Sequence, residues 1–237
     1  MKKCIVILFA LISTGLSYGQ IVSTSAGGNW SAPATWVGGV VPTANTDVII
    51  KGTVLHSNKK DACRNLTIHE GAVLTTLSPQ MNGWQLTIHG NLVNKGTIKN
   101  NDAGNWLQIA IYKDFVNDGK CVNYGIAFKG DLDQTISGNK PFGPYFINMQ
   151  KENRLIAGSD LVFQGVTFLF YKKNKFIVKP DKTVTLYYSD IHKRKDFYMP
   201  KDNSALDVHF TGGGKVIVKG KYDVSQAVFE GVKPVKE

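Results

Sequence analysis

The chain has 237 residues, 43% of them hydrophobic, 19% charged and 11% aromatic, with 24 glycines, 8 prolines and 3 cysteines. That balance excludes bulk disorder, a collagen-like repeat and a disulfide-dense miniprotein, and the length suits one large or two small domains. The formal charge of +10 is unevenly placed, with +2 on residues 20–140 and +6 on residues 141–237, a distribution that favours an anionic partner.

Lys2 and Lys3 precede an apolar run over residues 5–16, and Ser17-Tyr-Gly19 places small residues at the −3 and −1 positions of a cleavage site. Residues 1–19 therefore read as a secretory signal peptide. The run is too short for the ~20 apolar residues that span a bilayer, and Cys4 lies ahead of it rather than at its end, unlike a lipoprotein cysteine. The expected product is exported to the periplasm, the cell surface or the medium. It carries no transmembrane segment, and nucleic acid is not an expected partner.

Residues 20–47 read as an N-terminal cap, in which Trp30 and Trp36 cover the first coil of a stack while Pro33 and Pro42 stiffen the cover. An uncovered terminal coil would expose apolar side chains and unpaired backbone groups. Sugar stacking is the functional alternative for either tryptophan. From residue 48 the chain compares with itself: Leu66-Thr-Ile-His69 recurs as Leu86-Thr-Ile-His89, followed by Leu107-Gln-Ile-Ala110 and Ile126-Ala-Phe-Lys129. Spacings near 20 residues, alternating apolar positions and regularly placed glycines predict a right-handed single-stranded parallel β-helix over residues 48–237, with a β-sandwich as the alternative. Further strands are predicted at 161–163, 166–170, 176–178, 184–188, 206–210 and 216–218, and residues 139–145 read as a loop or insertion. No segment carries a 3.6-residue apolar stripe, so almost no helix is expected outside the signal peptide.

Gly27-Gly-Asn-Trp-Ser-Ala-Pro-Ala-Thr-Trp36, Gly38-Gly-Val-Val-Pro42 and Asp47-Val-Ile-Ile50-Lys-Gly52 resemble the opening of exported, adhesin-like β-helix proteins of the Bacteroidetes and, more loosely, the start of the G8 domain. Gly130-Asp-Leu-Asp-Gln-Thr-Ile-Ser-Gly138 is similar to a recurrent element of the same proteins. The resemblance covers about half the chain, implies a cell-surface or secreted β-solenoid and implies no activity. The sorting domain common at the C-terminus of such proteins has no evident counterpart at residues 231–237, which keeps the periplasm among the expected destinations.

His69 and His89, at the same phase of supposedly adjacent coils, are expected to face outward as a solvated pair without a third metal ligand. Cys63 and Cys121, about three coils apart, are too distant for a disulfide and are expected as two separate thiols, at least one buried. Asp131 and Asp133 are carboxylates of the kind that work in pairs in pectin-degrading β-helices. Aligned with Asn91, however, they read as polar turn residues. Two aromatic-basic stretches are the favoured binding candidates: Tyr171, Lys172, Lys173 and Lys175 in the first, Lys193, Arg194, Lys195 and Tyr198 in the second. Cations beside exposed rings suit uronate or sulfate groups on a sugar chain. The expectation is thus a non-catalytic exported β-helix with a structural, adhesive or glycan-binding role, without metal or cofactor, and with an anionic polysaccharide or lipopolysaccharide as partner. The alternative is a polysaccharide lyase or glycoside hydrolase in which Lys193, Arg194 or Lys195 neutralises a substrate carboxylate.

Overall fold

The computed structural model describes residues 19–77, 85–103, 105–149, 151–171, 174–189 and 203–237. Apart from Gly19, the expected signal peptide lies outside them. The local rule is visible in Leu66–Ile68 and Leu86–Ile88: the leucine and isoleucine are buried and the threonine between them is partly exposed, as the two-residue period of a strand requires. Strands this short cannot bury an inner face alone, so the chain winds and stacks them in parallel.

Three faces result. The first holds ten strands from Gln20–Val22 to Val228–Glu230, and the third holds seven from Ala62–Cys63 to Ala205–Leu206. The second is split into five strands, from Gly28–Asn29 to Lys120–Val122, and four, from Leu161–Gln164 to Pro234–Lys236. Single parallel bridges from Cys121 to Phe142 and from Phe142 to Phe163 span the split. Residues 139–145, expected as a loop or insertion, thus contain a one-residue rung held by the fully buried Phe142. The fold is a parallel β-solenoid rather than a sandwich, and Pro33–Thr35 is the one short helical turn among the described residues.

The sequence repeat needs a corrected meaning. Leu66–Ile68 lies on the first face and Leu86–Ile88 on the third face of the same coil. Leu66 stacks instead on Val48 and Leu92, and Leu86 stacks on Ile109, which in turn stacks on Ile126. The Leu-Thr-Ile-His similarity therefore reflects two strands obeying the same inside-outside rule within one turn. Leu107, expected in register with Leu86, is two positions out, still buried because a two-residue shift keeps the side chain on the same side. His69 and His89 lie on different faces and do not form the expected pair; the ring stacked on His89 is that of Tyr112, at 5.3 Å.

Two further differences have local causes. The predicted strand at 206–210 is broken by Asp207 at φ 54°, so Ala205–Leu206 belongs to the third face and His209–Thr211 to the first. Aspartate tolerates that left-handed conformation, which is how a corner fits into an apparently continuous run. Leu132, aligned by sequence with Leu92, is 82% exposed, because Leu92 is in register with Phe115 and Phe115 with Ile136.

Parallel stacking begins at Gln20–Val22, which pairs with Asp47–Ile50. On the opposite edge of that first strand the chain comes back antiparallel: Val37 N–H donates to Val22 O at 2.9 Å, Thr24 N–H donates to Thr35 O at 2.8 Å, and Ser23 bridges Trp36. Trp30 and Trp36 are buried edge to face, 5.2 Å apart, and Trp36 Nε1–H donates to Trp30 O at 2.7 Å. Gly27 makes this packing possible. It sits at φ 70°, and a Cβ there would come within 1.9 Å of Thr53 O.

Inside, aliphatic residues dominate the early coils and phenylalanines the later ones, with Phe163, Phe176, Phe210 and Phe229 in successive ring contacts. Cys63 and Cys121 are separate buried thiols, as expected, on the third and second faces respectively. Burial pushes both thiols well above their ordinary pKa.

Candidate functional site

The corner where the chain passes from the first face to the second is built around amides. Asn94 and Asn117 occupy fully buried, in-register positions on adjacent coils, and Asn94 Nδ2 donates to Asn117 Oδ1 at 2.7 Å and to Lys120 O at 3.1 Å. Asn117 Nδ2 donates to the carbonyls of Lys140 at 3.4 Å and Pro141 at 3.1 Å. Each amide thus ties its corner to carbonyls of the next coil, and a buried amide needs such partners. The corner itself is tight: a Cβ on Gly119 would lie 2.2 Å from Gly96 O, and one on Gly96 would lie 2.4 Å from the carbonyls of Ala72 and His69. Glycine lets successive corners approach each other this closely.

Outside this amide ladder the same corners line a cleft of about 560 Å³. Lys95, Lys120 and Lys140 reach its walls from three consecutive coils, with Glu70 and Asp118 as its carboxylates. The three lysines are exposed, and no ion pair holds any of them among the described residues. Asp118 is partly committed, its Oδ1 accepting the Asn139 N–H at 3.1 Å. Coils recur at the ~4.8 Å strand spacing, so the cations climb the corner coil by coil, staggered in register: Lys120 is level with Thr97, two positions beyond Lys95. Cations presented by successive coils suit the repeated negative groups of an extended polymer.

The sequence-derived candidates lie elsewhere. Tyr171 is 53% exposed, directly after the third-face strand Thr167–Phe170. Lys175 is exposed and opens the first-face strand Lys175–Ile177, in register between Arg154 and His209. These two residues flank one corner between the third and first faces, on a different edge from the lysine cleft. Lys172, Lys173, Lys193, Arg194, Lys195 and Tyr198 lie outside the described residues. Trp30 and Trp36, at 0% and 2% exposure, present no free ring face to a sugar, which removes their stacking role.

Asp131 and Asp133 are both occupied by cations. Lys151 Nζ lies 2.8 Å from Asp131, and Arg154 donates to Asp133 through Nε at 2.7 Å, through Nη2 and through its backbone N–H at 3.1 Å. The Arg154 guanidinium holds the Asp133 carboxyl below the usual carboxylate range, so it is ionised rather than poised to give up a proton. Among the described residues, no three histidine, cysteine or acidic side chains gather as metal ligands. No helix there is long and apolar enough to cross a membrane.

The lysine row escaped sequence reasoning because its members are separated by unequal intervals and none belongs to a charged cluster. The usable signal was Asn94 and Asn117, buried amides at matching strand ends, each followed by a short glycine-containing corner. A stacked aromatic column, Trp106 on Tyr124 at 4.9 Å and Tyr124 on Tyr145 at 5.8 Å, was hidden in the same way. Burial pushes the Tyr124 hydroxyl up to about 12. No family model, curated protein or solved structure matches the chain.

Proposed function

We propose that the protein is an exported β-solenoid that binds an anionic polysaccharide without cleaving it, and that the cleft between its first and second faces is the binding surface. The observation that carries this reading is the row of Lys95, Lys120 and Lys140 from three consecutive coils, free of ion pairs among the described residues, over one elongated cleft. Export rests on the charged, apolar and small-residue pattern of residues 1–19. Adhesive or structural service at the cell envelope follows if the bound chain belongs to the envelope or to an extracellular matrix.

Polygalacturonate is a suitable probe. Binding to the purified protein should weaken as salt shortens the Debye length. The triple substitution Lys95→Gln, Lys120→Gln, Lys140→Gln should lower affinity at least about tenfold, equivalent to about 1.4 kcal/mol. Neutralising the exposed Lys59, Lys60 and Lys221 together should change it little, since those residues are remote from the cleft. Equal losses in the two triple variants would reduce the effect to net charge and defeat the assignment. Time-dependent shortening of the polymer would establish the lyase or hydrolase alternative instead.

A further inference from the structure

A second groove, of about 440 Å³, runs along the edge between the third and first faces. It differs in chemistry from the lysine cleft. Its lining includes the His89–Tyr112 ring stack, with Tyr112 37% exposed, and Leu132, 82% exposed on a corner that carries it away from the core. The carboxylates of Asp114, Asp131 and Asp133 line it as well. Lys113 also lines the groove, Lys151 pairs with Asp131 and Arg154 with Asp133, so three negative charges face three positive ones and the groove is formally neutral.

From this arrangement we infer that the groove is a subsite for an uncharged pyranose, independent of the anion-binding cleft. A sugar ring has an apolar C–H face and a rim of hydroxyls. Tyr112 and Leu132 offer the apolar contact, and the carboxylates accept hydrogen bonds from hydroxyls through oxygens already fixed by their cationic partners. Asp133 keeps Oδ2 on Arg154 and Oδ1 on a backbone N–H, and Asp114 holds the Thr135 N–H at 2.7 Å through Oδ1. Both acceptors are therefore rigid before a ligand arrives, which lowers the ordering cost of binding. Charge balance sets the occupant: an anionic sugar would meet the carboxylates and a cationic one the lysines and arginine. Tyr171 lies on the same edge further along the stack, where its N–H donates to Met149 O just as the Tyr112 N–H donates to Ile88 O.

Calorimetric titration with neutral hexaoses (cellohexaose, mannohexaose and a β-1,4-linked galactohexaose) tests the inference. At least one should bind, with an affinity unchanged between low and high salt. Leu132→Ala, at a position too exposed to threaten folding, and Tyr112→Ala should each weaken that binding at least about tenfold. The triple lysine variant of the other edge should bind the neutral chain normally, so the two sites fail or stand separately. Absence of binding by all three hexaoses at millimolar concentration would overturn the inference. So would binding that survives both substitutions or that salt abolishes.

Discussion

The early and late coils stack by different means. In the early half one inward column carries amides: Ile68 is in register with Asn94 and Asn94 with Asn117, and the asparagines tie one corner to the next by hydrogen bonds. In the late half buried amides persist at another corner, where Asn174 Nδ2 donates to Lys151 O, but an inward column there is wholly phenyl: Phe176, Phe210 and Phe229, rings 5.6 Å and 5.2 Å apart with no polar atom among them. Their ends differ as well. The first strand is met by the antiparallel segment of residues 35–37 and backed by two buried tryptophans, whereas Val228 and Val235 of the last strands are 43% and 37% exposed. Directional amides fix the register coil by coil, while phenyl rings contribute burial and tolerate small slips. A solenoid whose stability is a sum over neighbouring coils should then be firm at its start and should open first at its last coil.

The largest test of that contrast removes one large ring from each end. Trp36→Ala takes away a 2% exposed side chain, its edge-to-face partner contact and its hydrogen bond to Trp30 O, and should cost about 3–5 kcal/mol. Phe229→Ala, at a partly exposed position stacked on one side only, should cost about 1–2 kcal/mol. Urea midpoints rank the two variants. Hydrogen exchange should further show Phe229→Ala accelerating only the last coils and Trp36→Ala accelerating the first. Equal costs, or native protein exchanging fastest at residues 20–50, would remove the proposed gradient.

A smaller effect probes the ladder itself. Asn117→Asp keeps the size and the acceptor oxygen but replaces the donor that serves the carbonyls of Lys140 and Pro141. Losing those hydrogen bonds, with a carboxylate in a fully buried position, should cost about 2–3 kcal/mol. It should also loosen the corner that carries Lys140, so polygalacturonate affinity falls along with stability. Asn117→Leu separates burial from hydrogen bonding: if it proves as stable as the parent, the amide contributes register rather than energy.

How far the sequence discloses this molecule follows from the same distinction. Alternation along each strand depends only on neighbours in the chain, so Leu66, Ile68, Leu86 and Ile88 could be placed inside at once, and parallel coils followed from glycine-punctuated repetition. Which strand sits over which depends on corner lengths, and those are irregular: Leu66 and Leu92 are in register 26 residues apart, whereas Leu155 and Phe176 are 21 apart. Matching Leu-Thr-Ile-His motifs therefore led to the wrong neighbour. The same uncertainty hid both grooves, because a row such as Lys95, Lys120 and Lys140, or a stack such as His89 and Tyr112, exists only after the register is known. Side chains that serve register, such as Asn65 Oδ1 accepting the Asn91 N–H at 2.8 Å and Asn91 Oδ1 accepting the Asp114 N–H at 3.1 Å, look in sequence like ordinary turn residues.

The smallest expected effect concerns the ion pair at the start of the stack. Arg64 holds Asp47 through Nε at 2.7 Å and Nη2 at 2.5 Å, with Asn65 Nδ2 at 2.8 Å. The guanidinium lowers the Asp47 pKa against the opposing effect of burial. A lowered folded-state pKa means that the pair's contribution is complete above the ordinary carboxylate value of about 4 and is lost as pH falls through the folded value beneath it. Because both side chains are partly exposed, solvent screening keeps that contribution below about 1 kcal/mol. Asp47→Asn should accordingly shift the urea midpoint slightly at neutral pH, with the difference from the parent vanishing in strong acid. The opposite trend, a difference that grows on acidification, would mean that Arg64 does not stabilise the ionised form and that the first coils owe their firmness to the tryptophans and the amides.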